Sequence, residues 1–173
     1  MNEDILYTPD EVAQKLKITK GTVYEMIKRG DLDAKKIGKH LRISSSQFEI
    51  YLLKSKGYGN NYEVNIISKE DEKIANINSV NIFVNTDLVG QAKISIRPED
   101  IILSKDILVS SARNVHKGSV TDIILDGSTS KVVLDIGISI VALITRKSLI
   151  EMNIEKGIEL FAIFKTMSVK VYK

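Results

Sequence analysis

The sequence has no cysteine, no tryptophan and only two histidines, His40 and His116, among 173 residues. Without cysteine there can be no disulfide, thiolate metal site or cysteine nucleophile, and this composition fits a reducing cytoplasm. Two histidines alone disfavour a zinc or non-haem iron site. A Ser-His-Asp hydrolase is possible by residue count, but no Gly-x-Ser-x-Gly occurs. With no triad, metal cluster or carboxylate pair in sight, we expect neither an enzyme, nor a metal site, nor a covalent cofactor.

Long apolar runs are also missing. No stretch of about 18 apolar residues occurs, so we expect no membrane span. The first residues, Met1-Asn2-Glu3-Asp4, are acidic and do not resemble a secretory signal. Apolar residues make up 43% and charged residues 27% of the chain, which is ordinary for a folded protein. The length allows one domain or two small ones.

Positive charge is concentrated near the amino terminus. Residues 1–56 hold eleven Lys/Arg and eight Asp/Glu, a net +3, whereas residues 57–173 hold fourteen of each. Residues 15–42 contain nine basic and three acidic residues, a local net charge of +6. A compact basic stretch is typical of a surface that contacts a polyanion, although a solvated face without a partner gives the same count.

The first module contains two short helices joined by a tight turn. Thr8-Pro9-Asp10-Glu11 combines an N-cap, a proline at the first helical position and a capping box. Thr19 is a second N-cap, and Gly30 ends the helix that follows it. Apolar residues recur at helical spacing in both segments. The pattern predicts a helix-turn-helix.

A hairpin and a third helix are predicted next. Ala34–Ile37 and Leu41–Ile43 are short runs around Gly38-Lys39-His40, which makes a wing with a basic tip. Ser44–Ser46 caps a helix in which Phe48, Tyr51 and Leu52 close the core.

These elements, in this order, resemble the excisionase-like, MerR-related winged helix-turn-helix over about fifty residues. The resemblance implies a DNA-binding domain at residues 1–56. The amino end of the second helix would approach the major groove, and the wing would hold the neighbouring backbone or minor groove. The residues expected to contact double-stranded DNA are Lys20, Thr22, Tyr24, Lys28, Lys36, Lys39, His40 and Arg42. For Tyr24, a place in the core is the alternative.

Beyond a glycine- and asparagine-rich linker at residues 57–61, the apolar period changes from 3.6 to 2. Strands are predicted at 63–68, 80–84, 91–96, 115–125, 131–135, 138–145, 160–165 and 169–172, with turns at 68–73 and 86–90 and a short helix at 147–153. Many short strands with one helix favour an OB-like β-barrel. The fold class is therefore α+β in two modules, a winged helix-turn-helix followed by this barrel.

Three clusters in the second module combine hydroxyls, a cation and backbone N–H groups. They are Ser110–Asn114 with Lys117-Gly118, Thr145–Ser148, and Lys165–Val169. Such groups suit a compact anion and, without paired carboxylates, do not suit a hard cation. Ordinary loop chemistry is the alternative for Ser110, Thr121 and Ser168.

The spacing of these clusters resembles the Mop, or TOBE, domain of molybdate-binding proteins, in which a tetrahedral oxyanion lies at an interface between Mop units. Residues 62–173 would form this domain, with a divergent β segment at 62–104 and a full Mop repeat at 105–173. The segment before the repeat, Ile94–Ser104, resembles the regulatory part of molybdate/tungstate importer ATPases. The residues that the resemblance implies as oxyanion contacts are Ser111, Arg113 (mainly through its backbone), Thr145, Ser148, Lys165 and Thr166.

Together the modules predict a cytoplasmic, DNA-binding transcription regulator that senses molybdate or tungstate and controls oxyanion-uptake or molybdenum-cofactor genes. A homo-oligomer is expected, with a dimer favoured and higher order possible, and no membrane partner. The alternative is a molybdate/tungstate storage or buffering protein. The residues do not separate molybdate from tungstate, nor an activator from a repressor.

Overall fold

The computed structural model describes residues 4–55 and 59–173, except for the side chains of residues 49, 50 and 53–55. The chain forms two compact units, Met1–Gly57 and Tyr58–Lys173. The first is built on helices and the second on curled β-sheets, so the fold class is α+β with an OB-like second unit. Within the described part of the chain, no helix has the length and apolar character needed to cross a bilayer.

The first unit packs three helices on a small antiparallel sheet of order β1-β3-β2. Its core consists of Val12, Ala13, Val23, Met26, Leu32 and Ile43. In chain order the elements are β1 (Leu6–Tyr7), α1 (Pro9–Leu16), α2 (Lys20–Arg29), β2 (Lys35–Ile37), β3 (His40–Ser44) and α3 (Ser45–Ser55).

Side-chain caps set the helix boundaries. Thr8 Oγ1 accepts a hydrogen bond from the Glu11 amide. The Glu11 carboxylate accepts one from the Thr8 amide at 2.7 Å, which completes the predicted capping box. Thr19 caps α2 at the Thr22 amide, and Gly30 ends that helix with a φ of 82°. The Asp4 carboxylate accepts hydrogen bonds from the Ser45 and Ser46 hydroxyls at the start of α3. These caps explain why two short helices are stable at a tight turn.

The second unit consists of two five-stranded antiparallel sheets, of order β13-β7-β4-β5-β6 and β11-β10-β9-β12-β8. One apolar core lies between them. The elements are β4 (Asn60–Lys69), β5 (Glu72–Ile77), β6 (Val80–Val84), β7 (Gly90–Ile96), β8 (Ile102–Ser104), β9 (Asn114–Asp126), β10 (Thr129–Asp135), β11 (Ser139–Thr145), α4 (Arg146–Glu151), β12 (Glu159–Phe164) and β13 (Val169–Tyr172). Short 3₁₀ turns, Pro98–Asp100 and Thr166–Ser168, precede β8 and β13.

The two halves of this unit repeat one pattern of four strands, a 3₁₀ turn and a final strand. The strand registers agree, since Asn60 pairs with Ile96 in the first half and Asn114 pairs with Phe164 in the second. The final strands are exchanged: β13 pairs with β7 of the first half, and β8 pairs with β12 of the second. Residues 60–104 therefore repeat the strand order of residues 114–172.

An asparagine at the start of each half bridges to the other sheet. The Asn114 side chain donates to the Phe83 carbonyl at 3.0 Å and accepts from the Phe83 amide at 2.8 Å. The Asn60 side chain makes the same pair of bonds to Val141, at 2.8 and 2.6 Å. Both asparagines are buried, and their amide groups satisfy backbone groups that no strand partner reaches.

Several short elements differ from the prediction. Strand β5 begins inside the segment predicted as a turn, because the reversal needs only Glu70 and Asp71, both with positive φ. Strands β1 and β8, of two and three residues, were not predicted, since such short strands carry too few residues to show a period of two. Of the expected linker, residues 57 and 58 lie outside the described residues, whereas Asn60 and Asn61 already belong to β4.

Candidate functional site

The first candidate site is a basic cleft between α2 and the β2–β3 hairpin, of about 490 Å³. Gly38, with a φ of 61°, forms the turn that brings the hairpin strands together. Six of the eight residues predicted to contact DNA line this cleft, and Thr8, Pro9, Asp10 and Leu41 complete it. The six are Lys20, Tyr24, Lys36, Lys39, His40 and Arg42.

The other two residues of that set lie elsewhere on α2. Lys28 follows Lys20 and Tyr24 at a spacing of four residues, so the three share one face of the helix. Thr22 is exposed and its hydroxyl lies 2.8 Å from that of Thr19, in the first turn. Tyr24 is 43% exposed, so the alternative of a core aromatic is wrong for this residue.

Asp10 is the one acidic residue lining the cleft among those the structure describes. Its carboxylate accepts a hydrogen bond from Lys20 Nζ at 3.0 Å, and this contact raises the pKa of Lys20 above its usual value. Sequence reasoning missed this partner, because Asp10 also belongs to the first turn of α1, where an acidic residue is common. The Lys20 ammonium thus stays charged, and any polyanion must share it with Asp10.

Within one chain, the residues of the second candidate site form two separate groups. Four of the six residues implied as oxyanion contacts, Ser111, Arg113, Lys165 and Thr166, lie where β9 begins and β12 ends. Because Asn114 pairs with Phe164, Arg113 and Lys165 continue from neighbouring strands, and Arg113 and Thr166 line the same cleft. We call this set the arginine–lysine half-site.

The other two residues, Thr145 and Ser148, form the threonine–serine half-site. Their hydroxyl oxygens are 2.9 Å apart, and Thr145 Oγ1 also accepts from the Ser148 amide at 3.0 Å, which caps α4. Thr145 of β11 pairs with Thr129 of β10, and Thr129 pairs with Asp126 of β9. Asp126 and Asn114 are at opposite ends of β9. Since β9 has 13 residues, the two half-sites are about 40 Å apart along that curved strand.

The Arg113 guanidinium is held by the first half of the unit. It forms an ion pair with Glu72 at 2.6 Å and lies 4.7 Å from the centre of the Phe83 ring. The Phe83 backbone is itself fixed by Asn114. Sequence reasoning missed Glu72 and Phe83, because they come from β5 and β6, and only the tertiary fold brings those strands to this loop.

Lys165 is exposed and precedes the 3₁₀ turn at Thr166–Ser168. Nearby, His116 stacks on the Phe164 ring at 5.7 Å, and its Nε2 has no hydrogen-bond partner among the described residues. Burial lowers the pKa of His116, so the imidazole is neutral at pH 7. It therefore contributes packing rather than charge beside the half-site.

Comparisons with known proteins match a part of each unit to a domain family. Residues 6–56 match the family model of a helix-turn-helix domain, and residues 110–171 match that of the TOBE domain. A helix-turn-helix domain in the first unit therefore precedes a TOBE domain in the second half of the second unit.

Two similar proteins are the molybdate/tungstate import ATP-binding proteins WtpC of Pyrococcus abyssi and Pyrococcus horikoshii. The first is 42% identical over 100 residues and the second 37% identical over 101 residues, which is 57% and 58% of this chain. The matched part spans only 29% of the length of each relative. The uncharacterized protein YvgK of Bacillus subtilis is 43% identical over 51 residues, 30% of this chain and 17% of that protein.

A solved structure similar to this one is that of the cytoplasmic molybdate-binding protein ModG with molybdate bound. It superposes with a TM-score of 0.56 and covers 65% of this chain and 94% of its own. At 16% sequence identity the likeness establishes a common fold.

Proposed function

We propose that this protein is a cytoplasmic transcription regulator that binds double-stranded DNA through its helix-turn-helix domain and molybdate or tungstate through its TOBE domain. The proposal is supported by the match of a helix-turn-helix domain to a unit that bears a basic cleft, and by the match of the TOBE domain to residues 110–171, which include all six residues expected to contact an oxyanion. Its targets would be oxyanion-uptake or molybdenum-cofactor genes. The chemistry is binding alone, since the anion keeps its oxygens and no bond is made.

For DNA binding, the geometry and the charge of the first unit both support the proposal. Helix α2 exposes Lys20, Tyr24 and Lys28 along one face, and we propose that this face enters the major groove. The β2–β3 hairpin would act as the wing, with Lys36, Lys39, His40 and Arg42 on the flanking backbone or minor groove. Most of these contacts would be made to phosphates, so they supply affinity and salt dependence more than sequence choice.

For oxyanion binding, the hydrogen-bond donors of the second unit support the proposal. A doubly negative tetrahedral ion accepts hydrogen bonds from several sides, which suits the hydroxyls of Ser111, Thr166 and the threonine–serine half-site. Lys165 supplies the exposed positive charge. Arg113 contributes through its backbone, since Glu72 and Phe83 hold its guanidinium. The description of WtpC refers to molybdate and tungstate and that of ModG to molybdate, which agrees with such a ligand.

Because the half-sites lie at opposite ends of one sheet, we propose that a complete site forms between two copies of the chain. The arginine–lysine half-site of one copy would face the threonine–serine half-site of the other. In a two-fold symmetric dimer the arrangement occurs twice, which gives two equivalent sites. The anion would thereby stabilise one arrangement of the paired TOBE domains.

That arrangement would set the separation of the two helix-turn-helix domains. Two DNA half-sites whose centres lie one helical turn apart, about 34 Å, would be contacted by both helix-turn-helix domains in one arrangement but not in another. Coupling of about 1–3 kcal/mol between anion and DNA corresponds to a 5- to 150-fold change in DNA affinity.

The regulator proposal is tested by fluorescence anisotropy on DNA from upstream of the protein's own gene, with and without 1 mM molybdate or tungstate. We expect specific binding whose affinity changes at least about fivefold with the anion. Sulfate serves as the control anion. Absence of specific DNA binding under every condition would instead favour the storage protein.

The two-copy site is tested by mixing subunits. Lys165→Ala removes one half-site, and the double variant Thr145→Val/Ser148→Ala removes the other. Each variant alone should bind molybdate about two orders of magnitude more weakly by isothermal titration calorimetry, whereas an equimolar, refolded mixture should regain one site of unmodified affinity per mixed dimer. A mixture that binds molybdate as weakly as either variant alone would refute a site shared between subunits.

A further inference from the structure

We infer that Asp10 and Lys20 together form the element of the basic cleft that reads one guanine–cytosine base pair in the DNA major groove. The inference rests on the proposed DNA-binding function and adds a source of sequence choice to it. Lys20 would donate hydrogen bonds to the guanine, and Asp10 would accept one from the cytosine amino group. The other cations of the cleft would stay on phosphates, which carry no sequence information.

The two side chains form a pair at the surface of the cleft. Lys20 Nζ donates a hydrogen bond to Asp10 at 3.0 Å, and the two side chains are 50% and 59% exposed, so both can reach a ligand. The other residues that line the cleft, among those the structure describes, are basic or uncharged. A carboxylate repels phosphate oxygens, so Asp10 would weaken a cleft that bound phosphates alone.

The backbone holds the pair in place. Asp10 lies in the first turn of α1, which a capping box closes, and Lys20 is the first residue of α2, directly after its N-cap Thr19. A hydrogen bond from the Ile18 amide to the Ala13 carbonyl, at 3.0 Å, fixes the turn between the two helices. Polar groups on such a fixed frame lose little freedom on binding, which favours recognition of a defined hydrogen-bonding pattern.

The hydrogen-bonding pattern of the pair matches one type of base pair. An ammonium group has three N–H donors, and Asp10 uses one of those of Lys20, so two remain. In the major groove, guanine presents two acceptors, N7 and O6, and cytosine beside it presents its N4 amino donor. An adenine–thymine pair instead places its donor between two acceptors. Two donors beside one acceptor therefore fit guanine–cytosine and do not fit adenine–thymine.

The test is selection from a pool of DNA duplexes with a randomised central segment, with the full chain, in the presence and absence of molybdate. Sequencing of the bound duplexes gives the base preference at each position. Asp10→Ala and Lys20→Ala each remove one member of the pair. Asp31→Ala is the matched control, because Asp31 pairs with Arg29 at 3.2 Å, is 51% exposed and does not line the cleft. Circular dichroism verifies that each variant is folded.

We expect the unmodified protein and Asp31→Ala to prefer guanine–cytosine at one position of the half-site by about fivefold or more. Asp10→Ala should lose this preference. It should also bind a duplex of random sequence more tightly, with a salt slope steeper by about one, because Lys20 then reaches a phosphate. Lys20→Ala should lose the preference at the same position but bind the random duplex more weakly, because an unpaired carboxylate remains in the cleft.

Two results would overturn the inference while leaving the DNA-binding proposal intact. One is an Asp10→Ala protein that selects the same bases as the unmodified protein at every position. The other is a loss of preference at different positions in Asp10→Ala and Lys20→Ala, since a joint reading of one base pair requires the same position. If the unmodified protein enriches no sequence with or without molybdate, the DNA-binding proposal itself fails and the inference fails with it.

Discussion

At the scale of single residues, both candidate sites contain cations whose neighbours determine what they can do. Arg113 is paired with Glu72, and Lys20 is paired with Asp10, so each shares its charge with a carboxylate. Lys165 is exposed at the end of β12, where the chain turns into the 3₁₀ segment. The same residue type in a different neighbourhood therefore takes a different role, and Lys165 is the side chain we expect to meet the charge of the anion.

Replacing Lys165 by alanine should lower molybdate affinity by about two orders of magnitude, because a charge-assisted hydrogen bond is lost. The fold should be unaffected, since the side chain is exposed. Isothermal titration calorimetry measures the affinity, and Lys69→Ala, an exposed lysine of β4, is the control. An affinity equal to that of the unmodified protein would remove Lys165 from the site.

Replacing Arg42 by alanine should weaken DNA binding at all sequences and reduce the slope of log K against log salt by about one. Arg42 lines the basic cleft, whereas Lys15, the control position, lies over the Tyr7 ring at 4.9 Å. Anisotropy titrations at several salt concentrations give the slope. If the slope for Arg42→Ala equals that of the unmodified protein, Arg42 makes no phosphate contact.

At the scale of elements, the long strand β9 crosses a point of close backbone approach. A Cβ at Gly118 would overlap the Asp135 carbonyl oxygen and lie 2.6 Å from the Ile136 side chain. The β9–β10 register shifts by one residue between Val133 and Leu134, close to this point. Only glycine fits here, because backbone rather than a movable side chain occupies the space.

The change Gly118→Ala should therefore destabilise the TOBE domain by about 2 kcal/mol or more, through overpacking against the neighbouring strand. Chemical denaturation followed by circular dichroism measures the loss. Gly21→Ala on α2 is the contrasting change, because its nearest neighbour is 3.9 Å away and alanine favours a helix. Equal effects of the two substitutions would contradict the close-approach argument.

At the scale of the whole molecule, the second unit contains two halves of equal strand order but unequal chemistry. Gly59 stands where the second half has Arg113, and Arg97 stands where it has Lys165 but is bonded to Asp100 at 2.9 and 3.2 Å. Phe83 and Val141 are equivalent, because equivalent asparagines bridge to them. Asp87 lies four residues after Phe83 and Thr145 four residues after Val141, so Asp87 stands where the second half has Thr145. A carboxylate at that position repels a dianion.

We therefore expect one oxyanion per chain rather than one per repeated half. Native mass spectrometry with molybdate and with tungstate, added in turn, gives the number of anions and of subunits together. A dimer carrying two anions fits the expectation. Four anions per dimer would mean that the first half also binds.

Much of the fold follows from local signals. The caps at Thr8 and Thr19, the stop at Gly30 and the apolar periodicity predicted α1 and α2 almost to the residue. Strands of five or more residues with clear alternation were predicted as well, apart from β5. That strand begins in a charged segment that was predicted as a turn, whereas the reversal needs only Glu70 and Asp71, both with positive φ.

The sequence by itself determined the two domains, the basic character of the first and the residue types suited to an oxyanion in the second. It did so because helix caps, apolar periods and charge depend on residues close together in the chain. Tertiary structure decided that the halves exchange their final strands, that Glu72 holds Arg113, and that the two half-sites lie at opposite ends of one sheet. These features depend on pairing between residues far apart in the chain, and no local pattern encodes that pairing.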